Sequence, residues 1–265
     1  MARIDLPPTL KFHQEGPVGV IALARPEKRN ALDDETILGL QRLFSELPDA
    51  VRSVVLHGEG THFSAGLDLS EVADAMDLYK GVRHSQMWHR AFNEIQFGRV
   101  PVFTVLHGAV VGGGLELAAS THVRIAEPSA YYALPEGQRG IFLGGGGSVR
   151  ITRLIGVPAV QDLMLTGRTL SAEEGHVRGV SQYLVKEGEG MARAMELAQR
   201  AATNAPVSNF AILNALPHIA ESNPGSGFFT ESLMASIAEH TPEARQRLKD
   251  FLEKRAAKVL HTKDP

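Results

Sequence analysis

A chain of 265 residues with 43% apolar side chains can bury a substantial core, which excludes disorder throughout and fits one large domain or a domain with an appendage. Its 27 basic and 30 acidic residues give a formal charge of -3, which argues against a nucleic-acid surface or a polybasic membrane patch and for a small-molecule partner. The absence of cysteine removes disulfides, thiol nucleophiles and cysteine-ligated metals; the N-terminus lacks an apolar signal core or a transit pattern, and no apolar run approaches the ~20 residues of a membrane span, so a cytoplasmic protein is expected.

Residues 10–13 and 18–23 read as two strands of a hairpin, turning at Glu15-Gly16-Pro17. A polar loop, Arg25-Pro26-Glu27-Lys28-Arg29-Asn30-Ala31-Leu32, leads to Asp33 or Asp34, either of which can cap a helix running to about residue 47. Residues 53–57 form a short apolar strand, followed by the small-residue turn Phe63-Ser64-Ala65-Gly66-Leu67-Asp68-Leu69. Read as a connector it needs no function; read as a site, it frees the N–H of Leu67, after the permissive Gly66, to face a ligand. Between 81 and 97, Trp88, Ala91, Phe92 and Ile95 fall at helical spacing and predict an amphipathic helix. His84 and His89 sit on different faces of it, and His57, His62, His107 and His122 lack ligand spacing, so no metal site is expected.

The stretch from Val102 to Ala119 reads as a strand, a turn through Gly112-Gly113-Gly114 and a helix start carrying Glu116. Three glycines weaken either regular element, so their use lies in backbone freedom and close approach. Two readings follow: a tight turn with a surface glutamate, or N–H donors aimed at an oxygen on which negative charge develops, with a carboxylate beside them. A strand at 122–126 is followed by Leu134-Pro135-Glu136-Gly137, a loop glutamate held between apolar residues. The run Gly144-Gly145-Gly146-Gly147 before the next helix lacks the Lys-Ser/Thr ending of a phosphate loop, and tight packing of a helix start is the expected reason for it. From 158 onward the pattern is mainly helical, with a strand at 182–185, a break at 223–227 and a last helix from 242 to about 259.

Taken in order, Arg-Pro-x-Lys-Arg-Asn-Ala-Leu, Phe-Ser-Ala-Gly-Leu-Asp-Leu, Gly-Gly-Gly-Leu-Glu-Leu-Ala and Leu-Pro-Glu before a glycine-rich helix start resemble the enoyl-CoA hydratase/isomerase family, the crotonase fold. Each motif alone is weak; the ordered set, covering nearly the whole chain, is specific. The resemblance implies an α/β fold, a crotonase-like spiral of repeated β-β-α units. Residues 1–200 would form the acyl-CoA-binding core and 201–265 a C-terminal helical oligomerisation region. It further implies a hydratase adding water across C2=C3 of an α,β-unsaturated acyl-CoA thioester, with the thioester oxygen held by the N–H groups of Leu67 and Gly113. Glu116 would be the base toward water and Glu136 the acid toward C2. CoA would be bound along Ser64, Ala65, Gly66, Asp68 and Leu69, with Lys28 and Arg29 near the entrance and Phe251 and Lys254 reaching the nucleotide of a neighbouring subunit. No cofactor apart from the CoA of the substrate is implied, and the family's habit is a homotrimer or a hexamer of paired trimers.

The sequence departs from the family at His107-Gly108, Thr121-His122 and Gly137-Gln138-Arg139, positions expected on the acyl side of the site. Competing readings are an isomerase or hydratase-lyase on the same scaffold, a catalytically silent acyl-CoA-binding subunit, and a dinucleotide-binding oxidoreductase. The last is disfavoured because Leu117 stands where its fingerprint needs Gly or Ala.

Overall fold

The computed structural model describes residues 4–71 and 77–255, and the chain divides into two compact units, Met1–Thr203 and Asn204–Pro265. In the first unit the hairpin of β1 (Leu10–Glu15) and β2 (Val18–Leu23) forms around Gly16, whose φ of 58° suits the turn. Asp33 caps α1 (Asp34–Ser45) by accepting the N–H of Thr36. Then follow β3 (Ser53–Gly58), α2 (Leu78–Gln96), β4 (Val102–Leu106), β5 (Ala109–Val111), α3 (Gly113–Ala119), β6 (Val123–Ala126) and β7 (Tyr131–Ala133). The unit closes with α4 (Gly147–Ile155), α5 (Val157–Thr166), β8 (Thr169–Ser171), α6 (Ala172–Arg178), β9 (Tyr183–Leu184) and α7 (Gly190–Ala202).

Six strands form one sheet in the order β1-β2-β3-β4-β6-β9, parallel apart from the first hairpin, and β5-β7-β8 form a second. Successive turns of the chain repeat one pattern. A strand joins the large sheet, a short extended segment joins the small one, and a helix follows. Ser64, after β3, takes the extended place by bridging Val110 of β5; β5 does so after β4, and β7 after β6. The stripe Trp88, Ala91, Phe92 and Ile95 of α2 is buried in the main core, where each large side chain stabilises the fold by ~1.5–3 kcal/mol. On a second core, Ala194, Leu197 and Ala198 of α7 pack with Val20, Val55, Val105 and Ile125 of the large sheet.

Two elements differ from the sequence reading of this unit. The stretch from Val102 does not run directly into the glycine turn: Gly108, at φ 54°, redirects the chain into β5 first. β5 and β8 are three residues each, too short for alternation to register in the sequence.

In the second unit, α8 (Pro206–Phe210) continues through a π-helical turn, Ala211–Ala215, into α9 (Leu216–Glu221), where Pro217 lacks the N–H that a regular helix would require. The helical run breaks at Ser222 and Asn223, both extended, and most of the 223–227 segment is the start of the next helix. Asn223 accepts the N–H of Ser226, and Pro224 occupies the first turn of α10 (Pro224–Glu239). The last helix, α11 (Pro242–Leu252), ends before Lys254, whose φ is 59°. Its expected continuation through Lys258 and Val259 lies outside the described residues. No helix among the described residues is long and apolar enough to cross a membrane.

Candidate active site

The first unit holds a cavity of about 250 Å³ lined by residues from four places in the sequence: Ala65, Leu67 and Leu69; His84, Ser85 and Trp88; Gly112, Gly113 and Glu116; and, between Glu136 and Gly145, those two with Arg139, Ile141, Phe142 and Gly144. Each of the three central glycines has its own reason to lack a side chain. Gly112, at φ 53°, donates its N–H to Ala133, and a Cβ there would stand 2.7 Å from Oε1 of Glu136. A Cβ on Gly113 would meet the Trp88 ring at 2.9 Å, and one on Gly114 would meet the Ser64 carbonyl at 2.6 Å. The turn through Gly66 closes on the same place. A Cβ on Gly66 would lie 2.9 Å from N of Gly113, and one on Gly113 lies 3.2 Å from N of Leu67. The two amides therefore converge on one wall of the cavity, and among the described residues neither donates to another protein group. Such a pair of donors, fixed before any ligand arrives, suits an oxygen that gains negative charge.

Two carboxylates share the cavity. Glu116 is 4% exposed, and its Oε1 accepts the N–H groups of Gly145 (2.9 Å) and Gly147 (2.8 Å). Burial pushes its carboxyl up to about 7, and the nearby Glu136 adds to this; the two N–H donors and Arg150 act in the opposite direction. Glu136 is 7% exposed and its Oε2 is buried with no hydrogen-bond partner. Burial raises its carboxyl too, against the pull of Arg139, which lines the same cavity. The apolar wall comes from Trp88, Leu69, Ile141 and Phe142, with Trp88 held edge-on to Phe92 at a centroid distance of 5.5 Å. Beside Trp88, with ring centroids 6.0 Å apart, His84 binds Asp34 through Nε2 at 2.8 Å.

The other expected substrate contacts divide. Ala65 and Leu69 line the cavity, but Ser64, Gly66 and Asp68 support it from behind. The Ser64 hydroxyl donates to the carbonyl of Asn30 (2.8 Å) and accepts the N–H of Gly66 (3.1 Å). Asp68 pairs with Arg25 at 2.8 Å and accepts from Ser70, whose hydrogen bonds hold its carboxyl below the usual range. These two residues therefore fix the loop that carries Leu67. Lys28 and Arg29 are exposed on the 26–30 turn and away from the cavity lining, although the Arg29 carbonyl accepts the N–H of Ala65. Phe251 and Lys254 belong to the second unit, exposed at the end of α11.

Of the departures, His107, Thr121 and His122 are outside the cavity lining, and only the third, at Arg139, reaches it. His122 is pinned between the N–H of Val102, which its Nδ1 accepts, and the carbonyl of Gln96, to which Nε2 donates; burial lowers it to about 4, so it is a neutral structural histidine. His107 contacts the Gly60 carbonyl at 3.2 Å. The sequence reading missed Gly145 and Gly147 as ligands of Glu116, and the buried Asn30, whose amide bridges the carbonyls of Glu59 and His62. Hydrogen bonds spanning some 30 residues leave no local spacing to read. Among the described residues there is no cluster of three metal-ligating side chains.

Residues 13–260 match the family described as enoyl-CoA hydratase/isomerase. The short-chain-enoyl-CoA hydratase of Clostridium acetobutylicum is 29% identical over 247 residues, covering 92% of this chain and 94% of that protein. The human enoyl-CoA hydratase domain-containing protein 2, mitochondrial, is 32% identical over 247 residues, covering 91% of this chain and 84% of its own. Among solved structures, a candidate enoyl-CoA hydratase from Rhodopseudomonas palustris CGA009 superposes with a TM-score of 0.92 at 56% identity, covering 98% of this chain and all (100%) of that one. The enoyl-CoA hydratase of Bacillus anthracis gives 0.87 at 29% identity, with coverages of 94% and 98%. The α/β spiral is thus the crotonase fold, and the chain belongs to the enoyl-CoA hydratase/isomerase family.

Proposed function

We propose that this family member is an enoyl-CoA hydratase, adding water across the C2=C3 bond of an α,β-unsaturated acyl-CoA thioester. The observation that supports this reading above the others is the presence of two buried carboxylates, Glu116 and Glu136, in one cavity with two unengaged amides. An isomerase needs one proton shuttle, and a silent binding subunit needs none. Hydration needs a base for the water, an acid for C2 and donors for the enolate oxygen that develops between them.

In this mechanism the thioester oxygen lies against the N–H groups of Leu67 and Gly113. Glu116 accepts a proton from water as the oxygen attacks C3, and Glu136 delivers a proton to C2. Burial raises both carboxyls, and that of Glu116 stands at about 7 with its two N–H donors counted. Once ionised, Glu116 is held by two N–H donors, which favour a charged carboxylate, whereas Oε2 of Glu136 receives none. That difference supports Glu116 as the base and Glu136 as the acid. The exposed apolar side chains Phe228, Phe229, Leu233 and Ile237 of α10 support the family's trimeric habit, which a monomer in sedimentation would overturn.

The test is turnover of a panel of enoyl-CoA thioesters, followed by loss of conjugated absorbance, in Glu116→Gln and Glu136→Gln. Each should fall by ~10²–10⁴, and the double variant should lose far less than the product of the two, since both act on one water and one proton. Near-normal turnover of Glu136→Gln would sink the two-carboxylate mechanism.

A further inference from the structure

Arg150, on the first turns of α4, is 7% exposed, yet it has no direct carboxylate partner among the described residues. A buried guanidinium bound only to neutral acceptors is costly, and its donors are all directed to one purpose. Nε donates to Oε1 of Gln96 at 2.6 Å, Nη2 to Oδ1 of Asn93 at 2.6 Å and Nη1 to the Gly145 carbonyl at 3.0 Å. Asn93 and Gln96 lie three residues apart on one face of α2, so the fork is held from two points on a rigid helix. Gln96 is itself fixed, because its carbonyl accepts from His122. Gly145 is clamped at both ends: its carbonyl is held by Arg150, and its N–H is donated to Glu116. Close packing leaves this geometry little slack. Gly146, at φ 95°, would drive any Cβ into Nη1 of Arg150, and a Cβ on Gly147 would stand 2.6 Å from Cγ of Glu116.

We infer that Arg150 is a positioning residue for Glu116: through Gly145 it fixes the amide cradle that orients the carboxylate toward the attacking water. The inference rests on the reading of Glu116 as the base. The groups that share this field are Glu136 from the segment after β7, which opposes ionisation of Glu116, and Arg139, which acts on Glu136. Arg153 on α4 and His89 on α2 both face Arg150. Removing the guanidinium takes away a term that lowers the Glu116 carboxyl, so that carboxyl rises further and the base is ionised only at higher pH.

The test is the pH profile of kcat/KM in Arg150→Met and Arg150→Lys, with infrared titration of the Glu116 carboxyl, assigned by difference against Glu116→Gln. Arg150→Met should lower kcat and move the acid limb to higher pH, with KM unaltered. Arg150→Lys should recover part of the displacement. The infrared titration should move by the same amount, and it reads Glu116 without turnover; if Glu116→Gln keeps full activity, the base reading fails while the effect of Arg150 on the carboxyl is still decided. A folded Arg150→Met enzyme whose acid limb and carboxyl titration both stay in place would overturn the inference. If Arg150→Met does not fold, Asn93→Ala and Gln96→Ala carry the test. Each removes one acceptor of the fork and should displace the limb in the same direction, and an unmoved limb in both overturns it.

Discussion

Two glycine-rich turns border the cavity, and they use their amides in opposite ways. At Gly112-Gly113-Gly114 the turn faces outward: the N–H of Gly112 is tied to β7, and that of Gly113 is left toward the cavity beside Leu67. At Gly144-Gly145-Gly146-Gly147 the turn faces inward, and the N–H groups of Gly145 and Gly147 are already engaged by Glu116. One run leaves an N–H toward the cavity; the other engages two on a buried carboxylate. Each precedes a helix, and each reads in the sequence as small residues before a helical pattern. What separates them is whether a protein carboxylate accepts the amides, which the run itself does not encode.

The largest expected effect comes from breaking the outward turn. Gly113→Pro removes the N–H at a first helical position, where proline is tolerated, and should lower kcat/KM by ~10²–10³ relative to Gly113→Ala, which adds the same contact against Trp88 and keeps the N–H. Gly112 is unsuitable as the control, because its N–H is engaged and its φ of 53° is closed to proline. Equal losses in the proline and alanine variants, both verified by circular dichroism, would mean that Gly113 serves only the fold.

A second test sharpens the contrast through stability. The Glu116 carboxyl is raised from 4.5 to about 7 in the folded chain, so between those values the folded state holds a proton that the unfolded state has released. Stability is therefore lost as pH rises through about 7, even with the two amides in place. Glu116→Gln has no such penalty. Its stability relative to the parent should be lowest near pH 4.5 and rise until above pH 7, by an amount on the order of 3 kcal/mol or less. Chemical denaturation across that range reads it; a pH-independent difference would show that Glu116 is not a displaced acid.

The smallest effect is expected from crowding the inward turn. A Cβ on Gly147 falls 2.6 Å from Cγ and 2.9 Å from Oε1 of Glu116, so Gly147→Ala must shift the side chain and its carboxylate. Turnover should drop about tenfold, since catalysis falls steeply with misplacement of the reacting group, while KM stays unchanged. Gly145→Ala, whose Cβ meets Oε2 at 3.0 Å, should lose less. An alanine variant at 147 with unaltered kcat would remove the distinction between the two turns.

Much of this molecule was legible along the chain, because it depends on local periodicity and capping. The first hairpin, the Asp33 cap, the α2 stripe and the parallel strands of the large sheet follow from residues that are near neighbours in sequence. The motif order also identified Glu116, Glu136, Leu67 and Gly113, which the fold brings to one cavity. Tertiary structure alone decided the rest. It assigned β5, β7 and β8 to a separate sheet, tied Ser64 and Asp68 into the loop that carries Leu67, and made the break after Glu221 pass directly into a capped helix. It also brought Asn93 and Gln96 to Arg150, and Gly145 and Gly147 to Glu116, across 29 to 57 residues. Such contacts are fixed by how helices pack on the sheets, and a chain read one residue at a time carries the donors and acceptors but not the distances between them.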